Sequence, residues 1–252
     1  MNDGLSFKVL GSSSSGNSTL ITCGERSILI DAGLPLSYVQ DMVPERIEGI
    51  FVSHEHVDHV RCLKPIAKAL TAPVYLSSPV EFCLRLDQDI VTEKLSDGRP
   101  IRVGPFTVIP FLVSHDALEP YGFVVEAEGR SLGIVTDLGW VQEEVVDRLR
   151  GRDALIVESN YDRDMLMRGP YPQGLKTRIM KEKGHLSNVQ CRDLIERTIG
   201  SRTKEVVLAH LSEENNDPLL AMEASLPALR TWEGSTLRLS YPRHPTPLLR
   251  LD

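Results

Sequence analysis

Six consecutive residues, His54-Glu55-His56-Val57-Asp58-His59, set three imidazoles and two carboxylates directly behind the apolar run GIFVS. Strong metal donors this dense can serve a fold only where the backbone turns them towards a common point. In an extended or loop segment residues two apart share a face, so His54, His56 and Asp58 can converge while His59 points elsewhere. The spacing predicts donors for two adjacent metals: His54 and His56 for the first, Asp58 and His59 for the second.

The chain holds seven histidines, so the others are informative. His115 follows FLVS, Asp137 follows GIVT and His210 follows VVLA, each where an apolar strand-like run gives way to a loop. Side chains from separate strands converge on one rim at such positions. The expected arrangement is His54, His56 and His115 on one metal, and Asp58, His59 and His210 on the other, with Asp137 bridging. Nitrogen and carboxylate donors without cysteine suit Zn²⁺, Mn²⁺ or Fe. Two metals sharing a water lower its pKa towards neutrality and present a bridging hydroxide to an electrophilic carbon or phosphorus, so the implied reaction is hydrolysis. Asp58 is expected to orient that hydroxide.

Around these residues the chain alternates strand and helix signals. Short apolar runs bounded by Gly, Asp or Pro (FKVLG, STLITC, SILIDAG, GIFVSH) make the opening β-rich. Helical patterns are expected over 36–43, 60–70, from about Pro79, and over 141–150, 188–199 and 218–232. Strand-like runs cover 74–76, 106–111, 122–127, 132–136, 155–158 and 205–209. That order is α/β with two sets of strands, and with no composition shift residues 1–252 are taken as one domain. The segment GSSSSGNS, between two strand signals, reads as a tight polar loop near the site.

A formal net charge of −7 argues against polyanion binding by the whole surface but leaves room for a local basic groove. The run containing Arg163, Arg168, Lys176 and Arg178 is the candidate for phosphate-backbone binding; its plainer alternative is a solvated helical face. No apolar run approaches the roughly 20 residues that span a bilayer, and the start MNDGLSFKVL lacks the order of a signal peptide, so a cytoplasmic protein is expected. The four cysteines, widely spaced, read as free thiols.

The motif H-x-H-x-D-H with later His115, Asp137 and His210 resembles the metallo-β-lactamase superfamily. That resemblance implies an αββα sandwich with a dinuclear site at one edge of its two sheets. Three further segments, TDLG at 136–139, ESNYD at 158–162 and GHLSN at 184–188, together with AHLSEENN at 209–216 and the opening GSSSSGNS, are similar to the bacterial YycJ/WalJ nucleases. The resemblance implies phosphodiester chemistry, with 5′-to-3′ exonuclease activity on DNA. The stretch from Asp137 to His210 is too short for the extra domain of large RNA-degrading relatives, so the site must open directly to substrate or be shared with a second subunit of a homo-oligomer.

His185 is left without a metal and is the candidate general acid, since an imidazole titrating near 6.5 can protonate a leaving oxygen. The alternative is a helix-start histidine bonded to phosphate or backbone. Ser187 and Asn188 are good caps for the helix after it, whose amino terminus would favour a phosphate. Glu158 and Asn160, at the end of ALIVES, and Asp31, after SILI, are expected to hold metal-bound imidazoles or fix loops, because such rings usually donate their other nitrogen. Asn215 is left between substrate contact and loop shaping. The same centre hydrolyses thioesters or lactones in other superfamily members, which is the alternative activity. A redox diiron role is disfavoured by His56, where such proteins carry Glu.

Overall fold

The computed structural model describes residues 4–44, 46–230 and 234–251. Strands β1 (Leu5–Gly11), β2 (Ser18–Cys23), β3 (Arg26–Ile30), β4 (Gly49–Phe51), β5 (Val74–Leu76) and β6 (Thr92–Lys94) lie in sequence order in one sheet. Strands β7 (Ile101–Val103), β8 (Phe106–Leu112), β9 (Tyr121–Ala127), β10 (Arg130–Val135), β11 (Ala154–Glu158), β12 (Glu205–Ala209) and β13 (Thr236–Leu239) form the second. The last strand, β14 (Leu249–Leu251), returns to pair antiparallel with β1. Each sheet is antiparallel over its hairpins and parallel beyond, from β3 to β6 and from β10 to β13.

Alternation along the strands builds the layers. Leu5, Phe7 and Val9 of β1 meet Leu132 and Ile134 of β10, Ile156 of β11 and Val207 of β12 in the core between the sheets. Leu155 and Val157 of β11 and Val206 and Leu208 of β12 point the other way. They pack under helices α5 (Glu143–Leu149), α8 (Asn188–Thr198) and α9 (Pro218–Ser225). The outer face of the first sheet is covered by α1 (Leu36–Val39), α2 (Val57–Val60), α3 (Leu63–Ala69) and α4 (Ser78–Leu84). Strands buried on both faces lose simple polar alternation and read as apolar runs, and the result is the expected αββα sandwich.

The differences from expectation are local. The helix expected over 36–43 stops at Val39, and the one over 60–70 divides into α2 and α3, with Pro65 in the first turn of α3, where its missing N–H costs no helical bond. The stretch 218–232 is α9 followed by a 3₁₀ turn, Leu226–Leu229, containing Pro227; its end at Trp232 lies outside the described residues. Strands β6, β7, β13 and β14 were not anticipated: at three or four residues each they are too short for a periodic signal. Two helices, α6 (Arg163–Arg168) and α7 (Gln173–Ile179), occupy the basic run.

Candidate metal centre

The strand ends converge as expected, and three of them do so through strained backbone. Asp31 after β3, Asp137 two residues after β10 and His210 after β12 all have left-handed backbone, with φ of 60°, 58° and 55°. Non-glycine residues rarely adopt this conformation, and it costs on the order of 1–3 kcal/mol each. It turns Asp137 and His210 sharply off their strands into the donor cluster, and Asp31 onto the rear nitrogen of His59. The loop that carries the histidine motif is held against the serine loop and the turn after β3: Asn17 N and Ala32 N donate to the carbonyls of Asp58 and His59, both at 2.8 Å. A Cβ on Gly33 would stand 1.7 Å from the Asp58 carbonyl oxygen, so this close approach requires glycine.

The motif is extended only as far as His56, which is the residue before the short α2; Asp58 and His59 then sit on its helical turn. Asp58 therefore parts from His54 and His56, contrary to the simple extended reading, and the grouping by shared centre is kept. Donor atoms of His54, His56 and His115 cluster, as do those of Asp58, His59 and His210. His54, His59 and Asp137 form a further cluster, with Asp137 Oδ2 2.9 Å from His59 Nε2 and Oδ1 3.7 Å from His115 Nε2. Asp137 thus reaches both groups.

The other nitrogens are fixed from behind. Ser53 Oγ donates to Asp31 Oδ2 at 2.8 Å and stands 3.0 Å from His54 Nδ1. His59 Nδ1 lies 2.7 Å from Asp31 Oδ2, His115 Nδ1 3.0 Å from the Gly184 carbonyl, and His210 Nδ1 2.8 Å from Glu158 Oε1. These partners fix tautomer and ring orientation, leaving Nε2 of His54, His59, His115 and His210 aimed at the centre. His54 Nε2 and Asp137 Oδ2 are buried without a hydrogen bond, although Asp137 Oδ2 lies close to the His59 ring. Buried polar atoms are almost always satisfied; a divalent cation is the partner that this donor set fits.

Charge runs to extremes in this pocket. Burial drives the His54 pKa well below 6.5, aided by the His59 charge. Burial opposes ionisation of Asp137, yet His210 and His59 outweigh it and hold the carboxyl well below its usual range. Asp58 is likewise held low: burial opposes this, and its bonds with His210 and His59 prevail. Burial opposes a charge on His210 too, but Asp137, Asp58 and Glu158 raise its pKa to about 10.

His185 forms a fourth donor group with Asp137, Glu158 and His210, its side chain 22% exposed and its Nδ1 2.8 Å from Glu158 Oε1. Burial opposes its charge, but Glu158 and Asp137 together raise its pKa. A cavity of about 250 Å³ opens over Asp58, Asp137, His185 and His210 and is also bordered by Ser14, Asn160 and Asn215. Ser14 sets the serine loop at the site. Asn160 Nδ2 donates to the His210 carbonyl, and Asn215 Oδ1 is a buried oxygen without a hydrogen bond.

Some expected roles are withdrawn. Lys176 is buried, and its ammonium donates to the carbonyls of Met167 and Gly169 at 2.7 and 2.8 Å, so it ties α7 to the end of α6 instead of reaching phosphate. Arg163 and Arg168 stand exposed on α6 outside the cavity lining, whereas Arg178 borders it and pairs with Asp116 at 2.6 Å. Ser187 caps α8 as expected, closing a capping box with Gln190, whereas Asn188 is the first residue of the helix and not its cap. Asn188 spends its amide on Ser159 and Asn216, so the amino end of α8 is committed to the scaffold.

Sequence reasoning missed Asn17, Ser53, Asp116 and the wall of α7. Asn17 Nδ2 donates to Asp58 Oδ2 at 3.1 Å, and its place in the loop GSSSSGNS was the available signal.

Two facing mixed sheets, helices on both outer faces and a His/Asp donor cluster at the strand ends define a metallo-β-lactamase-fold protein with the donor set of a metal-dependent hydrolase. The chain belongs to the β-lactamase superfamily, whose domain model matches residues 26–211. It is 34% identical to exodeoxyribonuclease YycJ of Bacillus anthracis over 228 residues, covering 86% of each chain. Identity to exodeoxyribonuclease WalJ of Streptococcus pneumoniae is 30% over 230 residues, again 86% of each. Among solved structures, the metallo-β-lactamase fold protein YhfI from Bacillus subtilis matches with a TM-score of 0.77 at 18% identity, over 97% of this chain and 99% of that one.

Proposed function

We propose that this chain is a two-metal exonuclease that hydrolyses phosphodiester bonds at DNA ends in the cytoplasm. The observation that carries the reading is the pairing of His185 with Glu158 at a cavity whose floor is the donor cluster. His54, His56 and His115 would hold one ion and Asp58, His59 and His210 the other, with Asp137 between; Zn²⁺ and Mn²⁺ suit these donors, with Fe a third candidate. Such ions supply a water acidic enough to attack at neutral pH and a counter-charge for the phosphoryl oxygens. Asp58, kept ionised by its histidine neighbours and oriented by Asn17, accepts a hydrogen bond from the attacking water. Glu158 occupies Nδ1 of His185, so Nε2 is the atom that protonates the leaving oxygen. The names of the YycJ and WalJ relatives support DNA as substrate.

Digestion of end-labelled single- and double-stranded DNA and RNA under Mn²⁺, Zn²⁺ or Mg²⁺, with Asp58→Ala as control, tests this. Mononucleotide release from DNA that disappears in the variant is expected. Cleavage of a thioester or lactone but of no nucleic acid would overturn it.

A further inference from the structure

We infer that the α7 side of the cavity is a stacking wall for the base of the terminal nucleotide, with Arg178 holding a phosphate beside it, an inference that rests on the DNA reading above. The cavity is two-sided: imidazoles and carboxylates form its floor, while Tyr171, Leu175 and Ile179 face it from α7 and the turn before it. Hydrolytic chemistry needs only the polar floor. A wall with an aromatic ring and a leucine 37% exposed, set against a floor of imidazoles and carboxylates, suits something flat and apolar joined to a phosphate, and a nucleobase has that form. Unpaired bases are commonly received by stacking on aromatic side chains, and stacking tolerates any sequence because every base has a π face.

The wall is built before substrate arrives. Lys176 ties α7 to the end of α6, Leu166 of α6 is buried, and Ser114 Oγ donates to the Glu182 carbonyl at 2.7 Å. A Cβ on Gly184 would stand 2.0 Å from the Ile179 carbonyl oxygen, so the end of α7 is pressed onto the loop that carries His185. Leu175, Arg178 and Ile179 are spaced three and four apart, on one helix face. Arg178 reaches Asp116, the neighbour of His115, which brings a guanidinium from this wall to the edge of the donor floor.

The test uses the whole protein and oligonucleotides protected at both ends by phosphorothioate linkages, with 5-iodouracil at a terminal or an interior position. Irradiation is expected to crosslink the terminal label, and not the interior one, to the peptide containing Tyr171. Tyr171→Ala should weaken binding roughly 5- to 150-fold and Tyr171→Phe should restore it. DNA ending in an abasic nucleotide should bind the wild type as weakly as intact DNA binds Tyr171→Ala, and the variant should not distinguish the two. Binding of DNA with the terminal label crosslinked elsewhere, or equal loss on abasic ends in both proteins, would overturn the stacking wall alone. Binding of no DNA at all would overturn it together with the exonuclease reading.

Discussion

Oε1 of Glu158 stands 2.8 Å from Nδ1 of His185, and it stands at the same distance from Nδ1 of His210. One buried oxygen thus fixes a ring proposed as metal ligand and a ring proposed as acid. The other oxygen, Oε2, accepts from Leu138 N and Leu186 N, both at 3.0 Å, tying the carboxylate to the loops that carry Asp137 and His185.

Replacing one ring should separate the two roles. His185→Ala is expected to keep its metal and lose about 10²–10⁴ in turnover. Glu158→Gln should lose turnover and also about 10–100-fold in metal affinity, because His210 is released with His185. Metal content by mass spectrometry alongside initial rates checks both; metal loss in His185→Ala would make it a ligand.

Metal binding should release protons. Burial opposes charge on His59, but Asp137 and Asp31 raise its pKa well above 6.5, and His210 is raised to about 10. A ring whose pKa is raised holds its proton into more alkaline solution, and a metal must displace that proton. Affinity should therefore climb with pH up to the raised values and fall on acidification. Calorimetric titration at pH 7 in buffers of different ionisation enthalpy should report net proton release; a buffer-independent enthalpy would contradict it.

Arg178 and Lys176 should part company in salt. Arg178→Ala is expected to weaken DNA binding and lower the salt-dependence slope by about one. Lys176→Met should leave the slope unchanged and instead cost about 1.5–3 kcal/mol of stability, the scale of a hydrogen-bonded buried charge. Binding isotherms across a salt series and urea melts distinguish the two.

At the opposite end of the second sheet, buried Asp153 accepts from Ser131 N at 2.8 Å, Ser131 Oγ at 2.9 Å and Arg202 at 2.6 Å. Burial opposes its charge, but Arg202 and Ser131 pull the pKa below the usual carboxylate range. Since the folded value lies below the unfolded one of about 3.9, its stabilisation is complete above that pH and fades as pH falls through the folded value. Urea midpoints of wild type and Asp153→Asn should differ at pH 6 and converge towards pH 2.

The donors were legible because metal chemistry forces a rare local pattern, and because His115, Asp137 and His210 each close an apolar strand run. Asp31 and Glu158 followed from the same strand-end logic. What stayed hidden depended on backbone turns and long-range packing. The left-handed positions Asp31, Asp137 and His210 are not themselves glycines, so nothing announces their conformation, and α2 is one turn long. Lys176 looked like its basic neighbours, and only the fold of α6 against α7 shows its ammonium capping carbonyls. The apolar wall of α7 lay inside a run read for charge alone.

The most direct test of the two-metal account is to strip the protein with chelator and titrate Mn²⁺ or Zn²⁺ back while following release of nucleotides from end-labelled DNA. Activity should rise until two equivalents are bound per chain and then level off, with Asp137→Ala binding metal more weakly and failing to recover. Full activity at one equivalent, or activity that survives chelation, would contradict the account.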